Sequence, residues 1–252
     1  MAPSTPPRTS SLLAISFDLY GTLLRYDDLD RSWRDWNTTL HEQLTQQGTA
    51  ISAEELPKVC RGFFDGNHSP VGAFSVLESR IAQLAERLGA TLSAPAVAHI
   101  ADECCHAWQR SISLDPECHE TLEALAGRYR LFLVSNFDHP RHARQVLDTH
   151  GLAGFFEDIL ISGEQGLKKP DEALFGKLRD KHGVESSQCA HVGDSIDDYQ
   201  FALNSGIVPV MLGEQQRING KIDFMENESR TVSGAYHAAR LRHVVEVISS
   251  LG

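Results

Sequence analysis

The sequence predicts an α/β protein: a doubly wound parallel sheet with an inserted helical domain. Three observations lead there. Short apolar runs at residues 12–17, 130–135, 158–162, 189–194 and 207–212 have the length and composition of buried strands. Helical patterns alternate with them after residue 113, as in a sheet covered by helices on both faces. Between about residues 27 and 112 helical periodicity alone is found, so the strand-forming parts of the chain are split by an insertion.

Each element has its own signal. The first strand, residues 12–17, ends at Asp18 and the Gly21-Thr22 pair, a turn signal. In the insertion Trp33, Trp36, Leu40 and Leu44 fall at helical spacing, as do Leu77, Ile81, Leu84 and Leu88, with Gly89 as a stop. Trp33 and Trp36 are expected in the helical core. A further helix follows Pro95. Later helices are expected over 120–128, 140–150, 172–182 and 198–204. Asp138 is a candidate N-cap for the second, and Gly183 a stop for the third. Residues 213–233 are polar and poorly patterned, and 235–249 read as a closing helix. The predicted division is a tail over 1–11, an α/β core over 12–25 and 113–252, and a helical domain over 26–112.

Chemistry-bearing residues gather where strands end. Asp18 follows the first strand, at the carboxyl edge where open α/β sheets place reacting groups. A carboxylate there can serve as a covalent nucleophile; its structural alternative is to cap a turn. Ser135 and Asn136 end the second core strand, where hydroxyl, amide and backbone N–H groups can hold anionic oxygens. Lys168-Lys169-Pro170-Asp171 precedes a helix. His191-Val192-Gly193-Asp194-Ser195-Ile196-Asp197-Asp198 closes another strand on clustered carboxylates.

In this order and spacing these segments resemble the four motifs of the haloacid dehalogenase superfamily, over about residues 12 to 212. The resemblance implies a Rossmann-like core with a helical cap and hydrolysis through an aspartyl intermediate. It implies Asp18 as nucleophile, Lys169 as the neutralising cation and Ser135 as a further catalytic group. Thr22, Ser135, Asn136, Tyr20 and Arg34 would bind substrate, Arg34 as one of the cap-side arginines with Arg25 and Arg31. Mg²⁺ would be held by Asp18, the carbonyl of Tyr20, Asp194 and Asp198, with Asp197 an alternative to Asp198.

The two ends of this pattern disagree. Phosphatases of the superfamily carry Asp two residues after the nucleophile, where this chain has Tyr20; the 2-haloacid dehalogenases carry Tyr. Those dehalogenases lack the Gly-Asp of the fourth motif and use no metal, whereas this chain keeps Gly193, Asp194 and Asp198. A Mg²⁺-dependent phosphatase acting on a small phosphorylated metabolite is therefore expected. An (S)-2-haloacid dehalogenase and a non-catalytic binding module are the alternatives.

Composition narrows the partners. The chain has 252 residues, 41% hydrophobic and 23% charged, with net charge −11. It can bury a full core, and its acidity argues against nucleic acid or an anionic membrane surface. A small anionic substrate remains compatible if the pocket is locally positive, and so does a homodimer. The five cysteines show neither a C-x-x-C pair nor a framework spacing, as expected of reduced thiols in a cytoplasmic protein. No apolar run approaches the ~20 residues that span a bilayer. Residues 1–11, rich in Pro, Ser and Thr, lack the apolar centre of a secretory signal. There is neither a Walker-type phosphate loop nor a zinc spacing.

Overall fold

Ala14–Phe17 forms β1, and all four residues are buried, as in a strand covered on both faces. The computed structural model describes residues 11–64, 72–213, 216–218, 221–223 and 234–251. Apart from Ser11, the expected N-terminal tail lies outside them. After β1 come β2 (Leu24–Tyr26), α1 (Leu29–Gln46), α2 (Leu56–Cys60), α3 (Val76–Arg87), α4 (Ala94–Gln109) and β3 (Ile112–Leu114). Next are α5 (Cys118–Ala126), β4 (Arg130–Ser135), α6 (Pro140–Thr149), β5 (Asp158–Ile161), α7 (Ser162–Gln165), α8 (Ala173–His182), β6 (Cys189–Gly193), α9 (Ile196–Ser205) and β7 (Val208–Leu212). The chain closes with β8 (Gln216–Ile218), β9 (Lys221–Asp223), β10 (Tyr236–Ala238) and α10 (His243–Ser249).

The chain divides into two compact units. The first holds Met1–Arg25, Leu114–Asn136 and Leu147–Gly252. Its six-stranded sheet has the order β10-β7-β6-β1-β4-β5, with parallel pairings throughout. From β1 the chain passes to β4 and β5 on one side, then to β6 and β7 on the other. The order thus reverses at β1, the switch point at which ligands bind in open α/β sheets. Ala14, Phe132 and Val134 pack with Leu174, Phe175 and Leu178 of α8 and Phe201 and Ala202 of α9. Side chains alternate along a strand, so Ser16 shares the face of Ala14. Each large apolar side chain buried here contributes about 1.5–3 kcal/mol.

The second unit holds Tyr26–Ser113 and Phe137–Val146. α1 packs on α4, and α4 on α3. The buried stripe Trp36, Leu40 and Leu44 explains the first helix, and Leu77, Ile81 and Leu84 the third. Asp28 caps α1, and Ser75 with Glu78 forms a capping box on α3. The segment 137–146, which the sequence placed in the core, joins this unit through polar contacts. Asp138 pairs with Arg80 at 2.5 Å, His139 Nε2 lies 2.9 Å from Asp102, and Arg141 meets the same carboxylate at 2.6 Å. The expected N-cap residue Asp138 therefore has an ion-pair role.

Two other expectations are corrected. Trp33 is half-exposed at 50%, because the buried stripe of α1 runs through residues 36, 40 and 44 and leaves 33 at its margin. It still meets Trp36 and Trp108 at centroid distances of 6.0 and 6.1 Å. Residues 235–249 are not one helix: Tyr236–Ala238 pairs in parallel with β7, and only His243–Ser249 is helical. Three residues are too few to show a strand period, and the helical spacing of Leu241, Val244 and Ile248 masked them. Of the polar stretch after Gly213, β8 and β9 pair antiparallel. Among the described residues no helix is long and apolar enough to cross a membrane.

Candidate active site

The site is assembled at the carboxyl ends of β1 and β6. Asp18 extends the β1–β6 ladder by one residue, its N–H donating to the Val192 carbonyl at 2.9 Å. Beyond it the chain turns sharply: the N–H groups of Leu23 and Leu24 both donate to Leu19 O at 2.9 Å, and Gly21 N–H donates to Leu24 O at 2.7 Å. Gly21 has φ +89°, and a Cβ there would overlap the Asp194 carboxylate. Only glycine lets this loop pass so close to the acidic turn. Gly21→Ala is expected to cost about 1–3 kcal/mol in backbone strain and to displace Asp194. Thermal denaturation checks the first effect and Mg²⁺ titration the second.

Lys169 is 2% exposed, whereas Lys168 is exposed, which separates two residues of identical chemistry. Its ammonium lies 2.6 Å from Asp18 Oδ1 and 2.5 Å from Asp198 Oδ1. Asn136 clamps the backbone of Lys169 from both ends of its amide. Oδ1 accepts from Lys169 N–H at 2.8 Å, and Nδ2 donates to Lys169 O at 3.0 Å. This amide, expected to bind substrate, holds the lysine loop in the structure.

Thr22 has a comparable local role. Fully buried, it donates from Oγ1 to Asp194 Oδ1 at 3.2 Å, so it orients a carboxylate. Tyr20 is buried at 7% and bridges to Leu24 in the turn. Ser135 is 1% exposed, and its hydroxyl has no hydrogen-bond partner among the described residues. A buried unsatisfied hydroxyl is costly and is a natural donor to an incoming oxygen. Arg34 belongs to the helical unit, where its guanidinium lies 3.9 Å from Asp28.

Asp18, Asp194 and Asp198 each offer an oxygen within 4.8 Å of the others. They are not equivalent. Asp198 is wholly buried and saturated: Oδ1 takes Lys169 and His191, at 2.5 and 2.9 Å, and Oδ2 takes the N–H and Oγ of Ser195, at 3.0 and 2.5 Å. A carboxylate has about four acceptor sites, and those of Asp198 are all engaged by these donors. It anchors the lysine, and it stands with Asp18 and Asp194 in the carboxylate group that could hold a metal. Asp197, half-buried, is the neighbour in the same turn. Gly193 is required by this packing, since a Cβ there would overlap the Asp198 carboxyl.

The charges follow from these contacts. Burial pushes the Asp18 carboxyl up to about 6, with Lys169 pulling it down and Asp198 adding to the rise. Burial, then Asp198 and Asp18, hold Asp194 well above the ordinary carboxylate range. Burial works against ionisation of Asp198 too, but Lys169 and His191 outweigh it and keep this group far below its usual value. Burial opposes the Lys169 charge, and Asp18 and Asp198 overcome it, raising its pKa. The metal-free site therefore holds one lysine shared between Asp198 and Asp18, and the Asp18 and Asp194 carboxyls gain from a further cation. Their donors are all oxygen, the set that suits Mg²⁺.

His191 is the residue that sequence reasoning missed. It was one of twelve histidines in no recognised spacing. Parallel pairing sets it opposite Ser16, a juxtaposition that follows only from the register.

Residues 12–206 match the family of haloacid dehalogenase-like hydrolases. Over 113 residues the chain is 29% identical to the N-acylneuraminate-9-phosphatase of Rattus norvegicus, covering 43% of this chain and 45% of that one. It therefore spans about half the length of that relative. Over 198 residues it is 29% identical to the phosphoglycolate phosphatase of Vibrio cholerae, covering 78% of this chain and 82% of the relative. Among solved structures, a 2-haloacid dehalogenase from Pseudomonas syringae superposes with a TM-score of 0.66 at 21% identity, covering 96% of this chain and 100% of that one; the two share a fold. With a match that runs from the first strand to the end of α9, the chain belongs to the haloacid dehalogenase-like hydrolase family.

Proposed function

We propose that this protein is a Mg²⁺-dependent phosphatase that acts on a small phosphorylated metabolite through an aspartyl-phosphate intermediate. The observation that carries this reading is the pairing of Asp18 with Asp194. Two carboxyls, buried Asp18 and half-buried Asp194, both raised above their usual range, stand beside a lysine already engaged by Asp198. Phosphatase chemistry gives such a pair a purpose, and metal-free dehalogenation does not. Phosphatases among the relatives at 29% identity support it.

Asp18, Asp194, Asp198 and the main-chain carbonyl of Tyr20 would hold the ion, the three carboxylates being the group whose oxygens converge. When bound, Mg²⁺ offsets the carboxylate charge and polarises the phosphoryl oxygens. A carboxylate oxygen of Asp18 attacks phosphorus, the ester oxygen departs, and water then cleaves the acyl phosphate. Lys169 lowers the repulsion between Asp18 and the incoming anion, and the Ser135 hydroxyl donates to a phosphoryl oxygen.

Tyr20 limits the leaving group. A positioned proton donor is worth ~10²–10⁴ in rate, and a tyrosine with a pKa near 10 is a poor one at neutral pH. The substrate is therefore an activated phosphate, such as an acyl or aryl phosphate, whose leaving group needs no proton. Tyr20→Asp is expected to raise kcat/KM for alkyl phosphates by about tenfold or more, with little change for aryl phosphates. Parallel assays on the two ester types measure that ratio. An unchanged ratio would place protonation elsewhere.

The same residue favours the second reading, a 2-haloacid dehalogenase, since halide also leaves unprotonated. Assays on p-nitrophenyl phosphate and 2-chloropropionate, each with and without chelator, separate the two. Chelator-sensitive phosphate release is expected. Chloride release indifferent to chelator, with no phosphate release, would overturn the proposal.

Mg²⁺ binding should weaken on acidification. Asp18 takes up a proton near pH 6 in the metal-free protein, and the ion must displace it. Below that value one competing proton costs up to about tenfold in affinity per pH unit. Calorimetric titration at pH 5 and pH 7.5 tests this, and equal affinities would contradict it.

A further inference from the structure

We propose that His191 is a positioning residue for the reaction. Its imidazole aims Asp198, which aims Lys169, which in turn faces the nucleophile Asp18. The inference rests on the hydrolase chemistry proposed above and extends it to a residue that touches no reacting atom.

The argument begins with the two oxygens of Asp198. Oδ2 is held locally, by the N–H and hydroxyl of Ser195 in the capping box that opens α9. That box leaves the carboxylate free to twist about its own bond. The other oxygen is the pivot. Oδ1 accepts from Lys169 Nζ at 2.5 Å and sits 2.9 Å from His191 Nε2. Lys169 Nζ is also 2.6 Å from Asp18 Oδ1. The location of that pivot therefore decides where the ammonium meets the nucleophile, and His191 is its second constraint.

His191 is itself tightly held. It is 1% exposed, and its ring meets Phe201 edge-on at 5.0 Å and 80°. Its Nδ1 lies 2.8 Å from Ser16 Oγ, the residue opposite it in the β1–β6 register. Nε2 faces a carboxylate oxygen, so it must carry a proton, or two lone pairs would oppose each other. In the neutral ring Nδ1 is then the acceptor, and the Ser16 hydroxyl, which also lies 3.4 Å from the Ala190 carbonyl, donates to it at the shorter distance of 2.8 Å. Ser16, one strand residue removed from Asp18, thereby secures the tautomer that Asp198 needs. Packing alone would be met by any flat ring, and it explains neither hydrogen bond.

The test has a structural and a kinetic arm. In metal-free protein labelled with ¹⁵N-histidine, the ring nitrogens of His191 are expected to report a neutral imidazole with its proton on Nε2. A proton on Nδ1 would overturn the proposal. His191→Phe keeps the ring and removes both bonds. It should lower kcat on p-nitrophenyl phosphate by about tenfold while KM moves less than about threefold. His191→Gln, which returns a donor near the Nε2 position, should recover part of the loss. Ser16→Ala should cost less, and nothing further when added to His191→Phe. An unchanged kcat in His191→Phe, no recovery in His191→Gln, or fully additive losses would each overturn it. If the wild-type protein hydrolysed no phosphate ester, the functional reading would fail, while the tautomer measurement would still decide the geometry.

Discussion

Asp18→Asn is expected to abolish turnover, lowering kcat by at least about 10³-fold, because an amide cannot form the covalent intermediate. The fold should survive. The introduced amide can keep its carbonyl oxygen toward Lys169 Nζ, now 2.6 Å from the carboxylate, and the substitution removes a buried charge. Burial is the largest influence on that charge, ahead of Lys169 and Asp198, and it disfavours ionisation up to about pH 6. The variant should therefore melt at or above the wild-type temperature at pH 8. The sign follows from linkage. A carboxyl whose pKa is higher in the folded state favours folding when protonated, and that advantage is lost as pH rises from its unfolded value near 4 through its folded value near 6. Wild-type protein bears this penalty at pH 8, and the asparagine variant does not. Single-turnover kinetics and melting curves together separate chemistry from folding; an active Asp18→Asn protein would end the nucleophile assignment.

Lys169→Ala should be the most destabilising change in the site. Lys169 is 2% exposed and bridges Asp18 and Asp198. Breaking a buried ion pair from one side costs about 3–5 kcal/mol, since the remaining charge stays desolvated. Asp198 suffers most, because Lys169 is the chief influence that overcomes its burial. In the wild type Asp198 has a depressed pKa, so it contributes stability above its unfolded value and loses it as pH falls. Without the lysine its pKa rises instead, and the variant gains by taking up a proton. The difference between variant and wild type should therefore be large at pH 8 and shrink toward pH 5. Urea denaturation at the two values measures it. A small difference, or one independent of pH, would show that Lys169 does not carry the charge balance of the site.

Much of this molecule can be read from neighbours along the chain. Four buried residues in succession make β1, the stripe through Leu40 and Leu44 makes α1, and alternation after residue 113 makes a parallel sheet. Asp18, Ser135 and Asp194 each stand at the end of such an element, and Lys169 stands in the loop before α8, which is why local pattern finds them. It failed where an element was too short to show a period, as in Tyr236–Ala238, and where the segment 137–146 is held by charges on α3 and α4.

Which residues gather at this site was legible from residue type and position; how they contact one another was not. Thr22 turns out to orient Asp194, Asn136 to clamp the lysine backbone, and Asp198 to be filled by donors from Ser195, His191 and Lys169. His191 and Ser16 lie 175 residues apart in the chain and 2.8 Å apart in space. Periodicity is a property of successive residues and is written in their order. A hydrogen bond between distant strands depends on register, side-chain direction and the acceptors already taken, and those exist only once the sheet has closed.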